Sequence, residues 1–272
     1  MNNHPKKKLL LTAVYVALVL VVIKLAQSFV MPMFANPFVG SLVVQILFSV
    51  LAVVGAILFG QTYGIQLRVK GFREGMQAGL LFLIAFPIIL AGSLAFKRAV
   101  VTESAGNVVL FVIKMLLIGV AEEILFRAVL QNTALEVTGE DSVADARKGI
   151  LLAGLIFGLV HLTNMFTGVT VMGAVIQALL AIPAGVVLGI IYFRSCRNIL
   201  PVILIHALLD GVSFVTSGAL NGTTLNDAIS NESTIGGPIG KAGTFLFYAA
   251  LALLLMRKSK MEKVIEARKA AE

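Results

Sequence analysis

Long apolar runs separated by short polar stretches dominate the chain. Eight of them approach the roughly 20 residues that a bilayer-spanning helix needs: 9 to 31, 38 to 60, 75 to 96, 107 to 130, 149 to 166, 169 to 193, 199 to 217 and 242 to 256. The fifth, seventh and eighth are short or interrupted by polar residues. The pattern predicts an all-α, polytopic membrane protein of about eight transmembrane helices with a bundled or conical core. No Pro/Ser/Gly-rich linker divides the sequence, so residues 1–272 read as a single membrane domain. Two polar stretches read as loops, Gln131–Lys148 and Gly218–Lys241, and the first is expected to re-enter a helix near Asp141 or Ser142, which can cap the following turn. Pro87 and Pro183 should kink their helices or free a carbonyl. Gly154 with Gly158, and Gly185 with Gly189, form small-xxx-small pairs that let helix backbones approach closely.

Composition agrees with this pattern. Hydrophobic residues make up 58% and charged residues 13% of the chain, with mean hydropathy +0.97, against about 25% charged in soluble domains. The net charge of +8 does not imply a nucleic-acid partner, because the basic residues follow topology instead of forming a patch. Setting the N-terminus in the cytoplasm puts Lys6–Lys8, Arg68, Lys70, Arg73, Arg147, Lys148, Arg194, Arg197 and the basic run from Arg257 to Lys269 inside. Lys97, Arg98 and Lys241 then lie outside, the first two as misfits, and both termini are cytoplasmic in a multi-pass cell-membrane protein. The C-terminal run should continue the last span as a basic helix facing lipid headgroups. The first span follows a signal-like basic cluster but is too long and lacks a clear small-residue cleavage site, so it reads as a retained anchor. Cys196, the single cysteine, cannot form an internal disulfide.

Candidate chemistry lies where polar groups interrupt the apolar runs. Ionisable side chains at membrane depth cost roughly 2.5–3.5 kcal/mol each on insertion scales and mark functional sites or buried ion pairs. Glu122, Glu123 and Arg127 share one run. Glu123 and Arg127, four apart, stack on one helix face, whereas Glu122 is turned by about 100°. The arginine can neutralise one carboxylate while the other is left to act as a general base, although all three can equally form a structural charge cluster. His161 follows Phe157 by four residues, with Asn164 three further on. Phenyl and imidazole then share a face, the amide can hydrogen-bond nearby, and the alternative is a histidine that only packs. His206 and Asp210 are again four apart. The aspartate can fix the ring's tautomer or assist at an oxyanion, or the pair is merely a structural hydrogen bond. The cost of burying three such groups separately favours their convergence on one hydrated cavity.

Three motifs in this order, Glu-Glu-x-x-x-Arg, Phe-x-x-x-His and His-x-x-x-Asp, resemble the CPBP family of intramembrane endopeptidases, the CAAX-protease and bacteriocin-processing or abortive-infection group. The likeness covers about residues 115–215, the expected protease core. It implies that Glu122 activates a water with help from His161, that His206 and Asp210 stabilise the oxyanion, and that Glu123, Arg127, Phe157 and Asn164 support them. Eukaryotic CAAX-processing members carry Asn where this chain has Asp210. The resemblance further implies an endopeptidase acting near the bilayer surface on membrane-associated peptides or proteins, in CAAX-type processing or in bacteriocin maturation or immunity. No cofactor is expected to be required. Zinc is possible but not favoured, since no His-Glu-x-x-His pair fixes a metal geometry. The alternatives are a non-catalytic membrane interaction or immunity protein and a proton-coupled transporter.

Overall fold

The computed structural model describes residues 5–65, 71–96, 99–223, 227, 230 and 237–270. His4, Arg68, Lys70, Lys97, Arg98 and much of the expected 218–241 loop lie outside them. Among the described residues every regular element is a helix: α1 Pro5–Phe29, α2 Pro37–Leu58, α3 Phe72–Ala78, α4 Leu80–Ala95, α5 Ala105–Glu123, α6 Asn132–Thr138, α7 Val143–Val160, α8 Val171–Arg194, α9 Ile199–Thr216, α10 Gly237–Leu255 and α11 Lys258–Lys269. A π-helical stretch, Ile124–Gln131, joins α5 to α6, and a 3-10 segment, His161–Thr167, follows α7.

Local sequence sets the helix starts. Side-chain oxygens of Asn36, Ser104, Ser142, Thr170 and Asn198 accept from backbone N–H groups in the first turns of α2, α5, α7, α8 and α9. Each satisfies a donor that the helix leaves without a carbonyl, a need that is acute where no water reaches. Among the described residues five helices are long and apolar enough to cross a membrane, and up to seven spans result if each of two bent helix pairs counts as one. The chain is therefore a multi-pass membrane protein. The expected fourth span is in place as α5 and the π-helical stretch, but it is not among the five.

Two bends of more than 40° fall between consecutive helices among the described residues. The third expected span breaks by 57° between α3 and α4, at Gly79, whereas Pro87 lies inside α4. A Cβ on Gly79 would lie 2.1 Å from Ile205 Cδ1, so glycine permits the contact with α9 that sets this corner. Pro183 is likewise inside α8. The last span and the basic tail are also separate helices, bent by 51° between α10 and α11.

Helix α8 is the central post. It packs along α7 and α10, and 67% of its most apolar window is buried, against 28% for α1, whose outer face (Leu10, Leu18, Val21, Leu25) is left for lipid. The glycine pairs serve the α7–α8 contact: a Cβ on Gly154 would come within 2.5 Å of Val186, and one on Gly158 within 2.2 Å of Ile182. The expected loop Gln131–Lys148 shrinks to a connection around Gly139–Ser142. Gln131, Asn132 and Thr133 are buried in helix, because their side chains find partners across the bundle: Gln131 donates to the Gly189 carbonyl, Asn132 donates to the Tyr192 hydroxyl, and Thr133, which donates to the Val129 carbonyl of its own helix, accepts from the Gln61 side-chain amide. Polarity there marks helix-to-helix bonding and not exposure to water.

One end of the bundle carries a charged rim. Lys8 pairs with Glu136 at 2.7 Å, and Arg197 and Arg268 both meet Glu140 at 2.6 Å. The start of α1, the α6–α7 turn, the α8–α9 turn and α11 therefore gather on the same side.

Candidate active site

The site begins with the close approach of α5 and α9. Gly119 faces the Ile203 carbonyl so tightly that a Cβ there would lie 2.8 Å from the oxygen. One turn further along each helix, this approach brings Glu123 to His206: Glu123 Oε1 is 2.6 Å from His206 Nδ1. The other carboxylate oxygen, Oε2, accepts from Arg127 Nε at 2.8 Å, and Glu123 and Arg127 are both fully buried. Since the carboxylate only accepts, Nδ1 carries the proton, and Glu123 fixes how the ring faces. Gly119→Ala is therefore expected to destabilise the protein by about 1–3 kcal/mol, as overpacking does, and to cut activity more than a matched change at the lipid face. Thermal unfolding compared with turnover checks this, and an unchanged kcat would contradict it.

The π-helical stretch carries Arg127. Its guanidinium sits 4.7 Å from the centre of the Phe157 ring, while Nη1 and Nη2 have no hydrogen-bond partner among the described residues. A buried cation with two idle nitrogens is held by one carboxylate and one aromatic face. Phe157 is the common wall. Its ring lies edge-on to Phe126 (5.0 Å), His161 (4.9 Å) and His206 (6.0 Å). Gly185 makes the room, since a Cβ there would be 2.6 Å from Phe157 Cδ1.

Helix α7 tightens where His161 begins. The His161 N–H turns to the Gly158 carbonyl, which frees the Phe157 carbonyl to accept from His161 Nδ1 at 2.8 Å. In the neutral ring the remaining nitrogen, Nε2, is then an acceptor. Glu122, offset from its buried neighbour as the helical turn requires, keeps its side chain 21% exposed and 3.7 Å from His206 Nε2. Asp210 Oδ2 lies 3.5 Å from the same nitrogen. Here the structure corrects one sequence reading: Glu123, across the helix interface, holds the ring through Nδ1, while Asp210 faces the other nitrogen at longer range. The Asn164 amide bonds Lys24 and Gln177, from a 3-10 segment in place of the α-helical spacing expected there.

Glu122, His161, His206 and Asp210 all line one cavity of about 770 Å³. Counting about 1.5 Å per residue along the helix, Glu122 lies roughly 20 Å from Glu136 on the charged rim. Among the described residues no group of three or more His, Cys, Asp and Glu side chains is placed to hold a metal ion, and His206 Nδ1 is already committed to Glu123. Sequence reasoning missed two further polar groups, Lys24, half-buried on the cavity wall, and Lys114, buried within α5 at 5% exposed. Their signal was present, since each interrupts an apolar run exactly as the acids do.

Several membrane-crossing helices around a pocket lined by carboxylates and imidazoles define a polytopic membrane protein with the equipment of a hydrolase. Residues 104–212 match the family described as type II CAAX prenyl endopeptidase Rce1-like. Residues 104–212 are therefore an Rce1-like CAAX endopeptidase (CPBP) domain, and that domain implies a protease. No curated protein matches the chain.

Proposed function

We propose that this protein is an intramembrane endopeptidase that hydrolyses membrane-associated peptides or proteins with a water activated by Glu122. The observation that carries this reading is the division of labour between two adjacent carboxylates. Glu123 is sealed against Arg127 and His206, while Glu122 faces the cavity beside His161, His206 and Asp210. Glu122 takes a proton from water as the oxygen attacks the scissile carbonyl carbon, and His161 accepts a hydrogen bond from the same water. The resulting oxyanion is met by His206 from Nε2 and by Asp210 if that carboxyl is protonated. Collapse of the intermediate breaks the C–N bond as Glu122 returns the proton to the leaving amine, giving a free carboxyl and a free amine.

A neutral His206 with its proton on Nδ1 has only a lone pair to offer at Nε2. Two facing carboxylates are compatible with it only if the ring is doubly protonated or Asp210 carries a proton, since Glu122 must be ionised to act as the base. Either state supplies a donor at the oxyanion. This supports Asp210 as a neighbour whose charge is dispensable, and Asp210→Asn is expected to keep activity within about tenfold, well inside the roughly hundredfold or greater loss typical of removing an acid–base group. A complete loss in that variant, with normal expression, would favour an obligatory charge there.

The family resemblance suggests prenylated CAAX tails or bacteriocin-related peptides as substrates. The gathering of Lys8, Arg197 and Arg268 on one rim supports a cytoplasmic placement of both termini. The reading is tested with the purified full chain in lipid, a peptide library and mass detection of products, with and without a chelator. Discrete endoproteolytic products insensitive to chelation are expected, whereas intact peptides throughout would refute it.

A further inference from the structure

Helix α1 brings a cation to the cavity. Lys24 lines the wall and donates from Nζ to Asn164 Oδ1 at 2.5 Å, and the Asn164 amide nitrogen donates in turn to Gln177 Oε1 at 2.7 Å. Among the described residues Lys24 makes no ion pair. An ammonium has three N–H donors, and this one has a neutral amide as its hydrogen-bond partner in a largely apolar cavity. A charge in such a place calls for an opposite charge, because burial without one is unfavourable. Of the acids on the same wall, Glu122 attracts the ammonium through space without pairing with it, and both Glu122 and Asp210 face His206 Nε2.

Position gives this cation a meaning. Asn164 follows His161 by three residues in the 3-10 segment, and in that geometry such residues stack one turn apart, about 6 Å along the axis. A ligand held at Lys24 and Asn164 thus lies about one turn from the imidazole. An extended peptide advances about 3.3–3.6 Å per residue, so that separation corresponds to a few residues of substrate.

We propose that Lys24, positioned by Asn164 and Gln177, is a specificity-determining residue that binds a substrate carboxylate a few residues from the scissile bond. The carboxylate comes from the peptide's own C-terminus or from an acidic side chain. A C-terminal source would make the enzyme measure its cut from the chain end. The inference rests on the endopeptidase reading for its meaning, but its test does not require turnover.

The experiment measures binding to the full chain in lipid nanodiscs, carrying Glu122→Gln so that no peptide is consumed. The probes are one fluorescent apolar heptapeptide as the free acid, the same peptide as the C-terminal amide, and an amide with glutamate at the penultimate position. With Lys24 present, the free acid is expected to bind roughly tenfold or more tightly than the plain amide, the range of one charge-assisted hydrogen bond. Lys24→Met should bind acid and amide alike, at the level of the amide, and Lys24→Arg should restore the preference. If the glutamate-bearing amide binds as the free acid does, a side chain is an accepted source; if it binds as the plain amide does, the source is the C-terminus. Equal binding of all three peptides with Lys24 present, or an undiminished preference in Lys24→Met, would overturn the proposal. So would loss of amide binding in Lys24→Met, which would mark a structural role. Hydrolysis by the unaltered protein, measured separately, reports on the endopeptidase reading alone.

Discussion

Glu122→Gln is expected to reduce peptide hydrolysis by roughly 10²–10⁴-fold, the range contributed by a positioned general base, while leaving the protein folded. The amide keeps the shape of the side chain but cannot take the proton. Nothing structural is lost with it, because Glu122 is not the carboxylate that Arg127 holds, and its nearest charged partner stands 3.7 Å away. Removing one of three neighbouring acids also relieves repulsion with Glu123 and Asp210, so the unfolding temperature should stay level or rise slightly. Turnover of a cleaved library peptide and thermal unfolding in the same lipid preparation check both halves. Activity surviving in the Gln variant would transfer the base to another residue, or would mark the protein as one that keeps the fold for binding.

The second large effect concerns stability. Arg127→Met is expected to destabilise the protein by about 3–5 kcal/mol, the consequence of leaving a fully buried carboxylate without its cation. Glu123 and Arg127 are each 0% exposed and joined at 2.8 Å, and Met replaces the length of the side chain without the charge. Adding Glu123→Gln should recover much of the stability, because the orphaned charge is then gone, so the two changes will be strongly non-additive. Activity should not return with it. Glu123 is also the group that orients His206 through Nδ1 at 2.6 Å, and glutamine holds that ring more weakly. Denaturation midpoints of the four proteins of the cycle, beside their kcat values, separate the two roles. A double variant as unstable as Arg127→Met alone would contradict the ion-pair account.

Much of the architecture could be read from the order of residues, for a simple reason. A segment that crosses lipid must satisfy its own backbone, so its length and apolarity already define it, and the observed helices fall close to the expected runs. The chemistry was legible for a related reason: acids and imidazoles at membrane depth are too costly to be incidental. The same rule, applied only to acids and histidines, passed over Lys24 and Lys114. Errors arose wherever polarity was taken for exposure or periodicity for continuity. Gln131, Asn132 and Thr133 were expected in a loop because nothing in the sequence records that the Gly189 carbonyl and the Tyr192 hydroxyl wait across the bundle. The third expected run was read as one continuous span, yet it breaks at Gly79, where a close contact with Ile205 needs the missing side chain.

The chain alone therefore determined which segments are helical, that they belong in a bilayer, and which few polar side chains are candidates for a site, because transfer energies and helical spacing act locally along the sequence. Only the packed bundle decided which of two adjacent glutamates is sealed and which faces the cavity, that Glu123 and not Asp210 holds His206 through Nδ1, and that Lys24 joins the same pocket from the far end of the chain. Those outcomes depend on how closely α5 approaches α9 and on where α7 changes its winding. They are set by contacts between residues distant in sequence, which no local pattern encodes.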